Sequence, residues 1–402
     1  MATMNILAIS YCFLPWLAPR SIQESRILGA IADKGNKVTI IQRTVSELNV
    51  PLDYELLSLV HPSINRIEIE EPVSIFSRVV KRVAPRNVPD DANIWAMGAS
   101  KKALSILHDH SVLITFSSPV SDHLAGLIVK LKNSSMPWVA FFSDPFMDNP
   151  YITMSRIERL LNKHLEKYII KHADAVIFVN EVTRDRIMAK YSARWGNKVH
   201  VIPHAFDESL YPDVEPTQGK MLTIRYMGDF YGKRTPESLF KALRVVADVS
   251  RDFILEIYGH IDDEMQSLII HYGLDEMVKL RGRISYLKNL LLMRTADILL
   301  SIDAPGEATL FLPSKLIDYL GSRRPILAIT SPIGPTAEIV RELGCPPLGH
   351  EDTQGIADLI LIYIGQKTSG NLGMIFSEKL LNHYRVQNVG ARYIEVLEGI
   401  VR

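Results

Sequence analysis

Short apolar runs alternate with amphipathic stretches along nearly the whole chain. That alternation predicts βαβ units wound around parallel sheets. In the first half the runs fall at residues 5–9, 38–41, 112–116, 138–142, 175–179 and 199–202, with helical patterns at 21–34, 93–108, 122–131, 155–172 and 182–191. In the second half they fall at 222–227, 253–258, 278–280, 298–302 and 326–329, with helical patterns at 236–249, 262–271, 286–294, 314–321 and 335–343. Residues 203–220 hold three prolines and a Gln-Gly pair without periodicity, which marks a boundary. Residues 355–402 read as two or three helices with no further strand. The expected class is α/β: two doubly wound, Rossmann-like domains at 1–205 and 206–380, facing across a cleft, with 381–402 as a terminal helical segment. Each sheet opens a crevice at the carboxyl ends of its strands, where such folds take their ligands.

Composition narrows the possibilities. A chain of 402 residues that is 47% hydrophobic can bury two ordinary cores. Its 45 basic residues balance 45 acidic ones, which removes any whole-molecule argument for a nucleic-acid partner. Cys12 and Cys345 lie far apart and show no metal-ligand spacing, so a reduced, cytoplasmic protein is expected. No apolar run approaches the roughly 18 residues of a membrane-spanning helix. The first residues run straight into a strand pattern without the charged start of a signal peptide.

The most informative stretch is residues 224–236, Ile-Arg-Tyr-Met-Gly-Asp-Phe-Tyr-Gly-Lys-Arg-Thr-Pro. A strand, a loop with Gly228 and a second glycine, and a helix start at Thr235-Pro236 form the geometry that holds a phosphate on backbone N–H groups. Arg234 suits a diphosphate because its planar fork meets two oxygens, whereas Lys233 is a point charge. The alternative is an ordinary turn with both cations in water. In Leu312-Pro-Ser-Lys-Leu-Ile-Asp-Tyr-Leu-Gly, Ser314 opens a helix and Lys315 sits in its first turn. A cation there opposes the helix dipole unless an anion is present. Asp318, three residues on and sharing a face with Lys315, suits a ribose diol; the alternative is a surface ion pair between the two.

A third group follows the first-half strands: residues 117–119 with Ser118, 121–123 with His123, and 142–146 with Asp144. All should open at the carboxyl edge of the first sheet. Asp144 is the candidate for contact with the reacting centre, though Asp before Pro is also a common turn starter. Arg20, in the loop after the first strand, joins Ser118 and His123 as an acceptor-side candidate; His123 has a structural alternative. Residues 74–86, Ser-Ile-Phe-Ser-Arg-Val-Val-Lys-Arg-Val-Ala-Pro-Arg, carry four cations and no acid. That suits a peripheral contact with an anionic membrane face, or else a solvated surface.

These positions resemble family 4 glycosyltransferases of the GT-B fold. The likeness is carried by Tyr226-Met-Gly-Asp-Phe-Tyr-Gly-Lys-Arg-Thr-Pro-Glu, Tyr258-Gly259, Leu280-Arg-Gly-Arg-Ile-Ser, Ala296-Asp-Ile-Leu-Leu and Pro313-Ser-Lys-Leu-Ile-Asp-Tyr-Leu. In the first half it is carried by Pro137-Trp-Val-Ala-Phe-Phe-Ser-Asp-Pro-Phe, Ala173-Asp-Ala-Val-Ile-Phe-Val and Val199-His-Val-Ile-Pro-His-Ala-Phe-Asp. The resemblance implies a nucleotide-sugar site in the second half, an acceptor site in the first, and a last helix that returns to the first domain. It also implies that Arg234 and Lys315 neutralise the diphosphate, Asp318 takes the ribose-binding position, and the backbone at Gly282-Arg283-Ile284 meets the base.

Three departures stand out: Asp229 where many members have an Arg, Ser143 where many have a His, and Leu310 where the first of two glutamates would be. The loop at 15–21 also lacks the usual double glycine. The expected activity is retaining sugar transfer from a nucleotide diphosphate sugar to a glycan, lipid-linked or small-molecule acceptor, in cell-surface polysaccharide biosynthesis. No Asp-x-Asp metal motif accompanies the loop, so no cofactor or essential metal is expected. The alternatives are a sugar-nucleotide epimerase of the same fold, which needs acid–base carboxylates, and a degenerate member that binds without turnover.

Overall fold

The computed structural model describes residues 3–71, 88–216 and 219–401. The basic stretch 74–86 lies outside the described residues. The chain forms two compact units: Met1–Ala205 with Val386–Arg402, and Phe206–Arg385.

The first unit runs β1 (Asn5–Ser10), α1 (Pro19–Asp33), β2 (Lys37–Arg43), β3 (Asn65–Ile69), α2 (Asn93–Ile106), β4 (Val112–Ser117), α3 (Ser121–Lys132), β5 (Trp138–Phe142), α4 (Arg156–His172), β6 (Ala175–Phe178), α5 (Glu181–Met188) and β7 (Val199–Val201). The strands form one parallel sheet in the order β3-β2-β1-β4-β5-β6-β7. The order reverses between β1 and β4, which is where such sheets open a crevice. β4, β5 and β6 are buried at every position, as expected of parallel strands covered on both faces. Trp95, Trp138, Phe142 and Phe178 fill the core, and the indole of Trp138 donates to Thr115 Oγ1 at 2.9 Å. β3 has no counterpart among the apolar runs: it is Asn-Arg-Ile-Glu-Ile on the sheet edge, with three polar residues and no buried position. α4 starts with a capping box, in which Glu158 N donates to Ser155 Oγ at 3.3 Å and Ser155 N to the Glu158 carboxylate at 2.8 Å.

The second unit runs β8 (Leu222–Met227), α6 (Glu237–Ala247), β9 (Phe253–Tyr258), α7 (Asp263–His271), β10 (Val278–Leu280), α8 (Tyr286–Thr295), β11 (Ile298–Ile302), α9 (Ser314–Ser322), β12 (Ile326–Ile329), α10 (Pro335–Glu342), α11 (Thr353–Thr368) and α12 (Glu378–Tyr384). Its parallel sheet has the order β10-β9-β8-β11-β12, again with a reversal, between β8 and β11. Every strand expected from the second-half pattern is present. One buried ion network crosses this sheet. Arg225 Nε donates to Glu256 at 2.7 Å, and Arg225 Nη1 reaches the Leu292 carbonyl at 2.7 Å and Thr295 Oγ1 at 2.6 Å, fastening the end of α8 to β8.

α13 (Val386–Val401) closes the chain and packs on α1 within the first unit. Gly390 is the point of closest approach: a Cβ there would lie 2.5 Å from the Ala30 Cβ. Arg392 donates to the Val201 carbonyl. Among the described residues no helix is long and apolar enough to cross a membrane. Gly390→Val should overpack the α1–α13 seam and destabilise the first unit by about 1–3 kcal/mol. Urea denaturation checks this, and an unchanged midpoint would mean that the seam does not hold the terminal helix.

Candidate active site

In the second unit the three strands β8, β9 and β10 are each followed within two residues by a glycine at the carboxyl edge of the sheet. Gly228 N donates to the Tyr258 carbonyl at 2.7 Å and Gly259 N to the Gly282 carbonyl at 3.1 Å. A Cβ on Gly259 would lie 2.3 Å from the Gly228 oxygen, so only glycine allows this approach. Gly228 has φ of 129° and lies along the stem of Lys315, where an added Cβ would come 3.9 Å from Cδ.

Lys315 is the centre of the site. Its Nζ is buried and has no hydrogen-bond partner, but it lies 3.8 Å from the centroid of the Tyr226 ring. That ring is stacked on Phe230 at 4.3 Å. Burial first, then the neighbouring Arg234, pushes the amine well below the usual lysine range, while Asp303 and Asp229 pull it back. The Arg234 side chain is 9% exposed, lies over the Tyr231 ring at 4.7 Å, and has an unpartnered buried Nε. Its only ion-pair contact among the described residues is Asp303, a loose 3.9 Å away. α9 begins at Ser314 with no side-chain cap, so its first N–H groups and the positive end of its dipole add to the two cations. Gly228, Arg234, Ser314 and Lys315 thus converge, and buried cations without partners are costly unless an anion joins them.

Other expected members sit elsewhere. Lys233 is exposed on the loop. Arg283 is spent on Asp229, pairing with its Oδ2 at 2.6 Å, while Asp229 Oδ1 accepts from His260 N at 2.5 Å. Burial works against the Asp229 charge, but Arg283 and the His260 N–H outweigh it and hold the carboxyl below its usual range. The Asp229 charge is therefore already matched, and the Arg283 guanidinium is not an open donor contact. Asp318 does not form a surface pair with Lys315. It is buried, with Tyr286 Oη donating to Oδ2 at 3.0 Å and Tyr211 Oη to its carbonyl at 2.9 Å. The carboxylate expected to face a ribose diol is thus engaged by tyrosines.

Sequence reasoning missed Asp303 and Tyr226. Asp303 follows β11, accepts from Thr330 Oγ1 at 2.7 Å, and holds His350 Nε2 at 3.0 Å through its carbonyl. Its place straight after an apolar strand was the available signal.

In the first unit, Arg20, Ser118, His123 and Asp144 occupy or follow the carboxyl edge of the sheet, but not equivalently. Arg20 points inward: Nε lies 2.9 Å from Glu24 Oε1, Nη1 lies 3.5 Å from Asp122 Oδ2, and Nη2 donates to Ser10 Oγ at 3.2 Å. Asp122 also accepts Tyr11 N at 3.0 Å. Burial pushes Glu24 up to about 7 against the pull of Arg20. The spacing of Arg20 and Glu24, four apart on α1, could have revealed this pair. His123 is not an acceptor-side group. It is fully buried, its Nδ1 meets Thr115 Oγ1 at 2.7 Å, and burial and Arg20 drive it down to about 3. Ser118 is exposed after β4. Asp144 is half-buried, receives Ser143 Oγ at 3.3 Å, and is raised by burial in spite of that bond and of Arg20. A carboxyl raised in this way and open on one side suits proton transfer.

Residues 26–210 match the sequence model of Glycosyltransferase Family 4. Over the whole chain the fold is similar to a glycosyltransferase from Rickettsia africae, at 13% identity, 100% of each chain covered and a TM-score of 0.70. It is similar to the Anabaena protein HepE in complex with UDP and glucose, at 14% identity, 98% of this chain and 100% of that one covered, and a TM-score of 0.70. It is also similar to sucrose-phosphate synthase from Thermosynechococcus elongatus, at 15% identity, 98% of each chain covered and a TM-score of 0.70. No curated protein matches the chain in sequence. Two parallel sheets of seven and five strands in these orders give the chain the GT-B fold of those structures.

The neutral tendency of Lys315 sets the sign of a pH effect. Its folded pKa lies below the ordinary lysine value, so between the two the unfolded chain holds the extra proton and stability rises with pH. Lys315→Met should lose that part of the rise and stabilise the unliganded protein by about 1 kcal/mol, or about 2–4 °C in Tm. Thermal melts from neutral to alkaline pH check both, and a variant less stable than the parent at neutral pH would contradict the site description.

Proposed function

We propose that the protein transfers a sugar, with retention at the anomeric carbon, from a nucleotide diphosphate sugar to a glycan, lipid-linked or small-molecule acceptor. We place it in cell-surface polysaccharide biosynthesis, in the cytoplasm with a peripheral contact at the inner face of the membrane. The observation that carries this reading is the pair of buried cationic side chains, Lys315 and Arg234, whose Nζ and Nε lack hydrogen-bond partners beside the uncapped start of α9. A diphosphate supplies the missing charge and acceptors, and the UDP in the Anabaena complex is a ligand of that kind.

In this reading Lys315, Arg234 and the α9 N-terminus stabilise the diphosphate as the bond from the anomeric carbon to its oxygen breaks. The acceptor hydroxyl forms the new bond at that carbon and gives up its proton, for which Asp144 is the candidate base. The backbone at Gly282-Arg283-Ile284 meets the base of the nucleotide. No metal ion is needed, because protein cations and the helix dipole carry the neutralisation.

Nucleotide binding is the direct test. A nucleoside diphosphate at 100 times its Kd should add about 2.7 kcal/mol to the stability of the native protein. It should add nothing to the Arg234→Ala, Lys315→Ala double variant. If UDP, GDP, TDP and their sugars all leave the native protein unshifted, the reading fails. Asp144→Asn should keep the nucleotide shift while lowering kcat about 10²–10⁴-fold; a variant with native turnover removes Asp144 from the chemistry. Turnover should also survive a chelator. Because the diphosphate restores the Lys315 charge, binding should take up a proton, read by calorimetry in buffers of different ionisation enthalpy.

A further inference from the structure

α4 is amphipathic in the reverse sense. Glu158, Asn162 and Glu166 face inward with Ile169 and Ile170, while Ile157 is 65% exposed, Leu160 57%, Leu161 43% and Tyr168 48%. The inward acids are already used: Glu158 closes the capping box, and Glu166 receives Met147 N at 3.1 Å and Lys190 Nζ at 2.6 Å. At 3.6 residues per turn, Ile157, Leu160, Leu161 and Tyr168 form one stripe. Arg156, Arg159, Lys163, Lys167 and Lys171, all exposed, form a second stripe beside it. None of these five joins an ion pair among the described residues. The outward side of α4 therefore shows apolar surface and positive charge and no acid, on a chain whose 45 basic and 45 acidic residues balance overall.

We propose that α4 docks the first unit on an anionic lipid surface, with Ile157, Leu160, Leu161 and Tyr168 entering the headgroup boundary and the five cations lying over acidic headgroups. The row of cations extends over about 22 Å of helix and is matched by a laterally continuous anionic surface, whereas a compact acidic ligand meets only one or two of them. The apolar stripe is too narrow and the helix too charged to span a bilayer, and lying in the interface is the geometry left for such a helix. The inference rests on the membrane-proximal part of the reading above and does not use the transfer chemistry.

Flotation with vesicles tests it. The full chain should float with phosphatidylglycerol mixed into phosphatidylcholine, stay behind with phosphatidylcholine alone, and detach at high salt. Ile157→Ser with Leu160→Ser, and separately Lys163→Ala with Lys167→Ala, should each weaken the partition about tenfold or more. All four positions are exposed, and melting curves check that the variants remain folded. Binding to neither vesicle overturns the proposal, and so does equal binding to both. Native binding by both variants places the contact elsewhere on the chain and removes α4 from it. Concentration-dependent association in sedimentation velocity that Ile157→Ser with Leu160→Ser abolishes, without vesicle binding, makes this face a contact between two copies and overturns the lipid assignment. The nucleotide shift, measured on the same variants, should be native throughout, so a failed donor reading and a failed docking surface give different results.

Discussion

A lysine amine without a hydrogen-bond partner, buried beside an arginine that has one loose carboxylate contact among the described residues, is the constraint around which the second unit is arranged. Removing an ammonium group from water costs several kcal/mol, and a partner usually returns part of it. Here the ring of Tyr226 returns only a cation–π contact, and Asp303 stands off at 3.9 Å from Arg234. The start of α9 makes matters worse for the cation, since its dipole is positive at that end. Nothing in the local sequence forces this placement. Tyr319 of α9 accepts from Met227 N at 3.1 Å and donates to the Leu300 carbonyl at 3.1 Å, which ties the helix that carries Lys315 to β8 and β11. The unit thus stores a deficit of negative charge that an anion can fill.

The sheet edge of the first unit has the opposite balance. Its cation, Arg20, is surrounded by Glu24 and Asp122 and has little left for a ligand. Asp144, with Ser143 as its immediate partner, remains partly open. One edge therefore offers unspent positive charge and the other a carboxyl of raised proton affinity. The departures from the family pattern take on a physical meaning in this light. Asp229 does not add a free negative charge to the phosphate loop, because Arg283 and the His260 N–H absorb it.

Some of this was legible along the chain and some was not. The strands of both sheets followed from apolar runs because parallel strands are buried on both faces and carry little else. β3 escaped because this edge strand has three polar residues in five and no buried position, so it forms no apolar run. The electrostatic misplacement of Lys315 could be read from its position in the first turn of a helix. That Asp318 would be held by Tyr286 and Tyr211 could not, since those tyrosines lie 32 and 107 residues away. For His123 the sequence left an acceptor-side and a structural role open, and only the packing of α3 on β4 and β5 shows that it is sealed against Thr115 and Phe142. α4 is the reverse case: its periodicity predicted a helix correctly, but not that Glu158 and Glu166 would turn inward while Ile157, Leu160 and Leu161 turn outward.

By itself the sequence determined the α/β class, the strands of the two sheets other than β3, and the glycine-bearing loop that precedes a helix start. All of these depend on local periodicity, turn chemistry and residues a few positions apart. The tertiary structure decided which charges are spent and which remain. A charge is settled by whatever lies within a few ångströms of it, and those neighbours come from strands and helices far away along the chain.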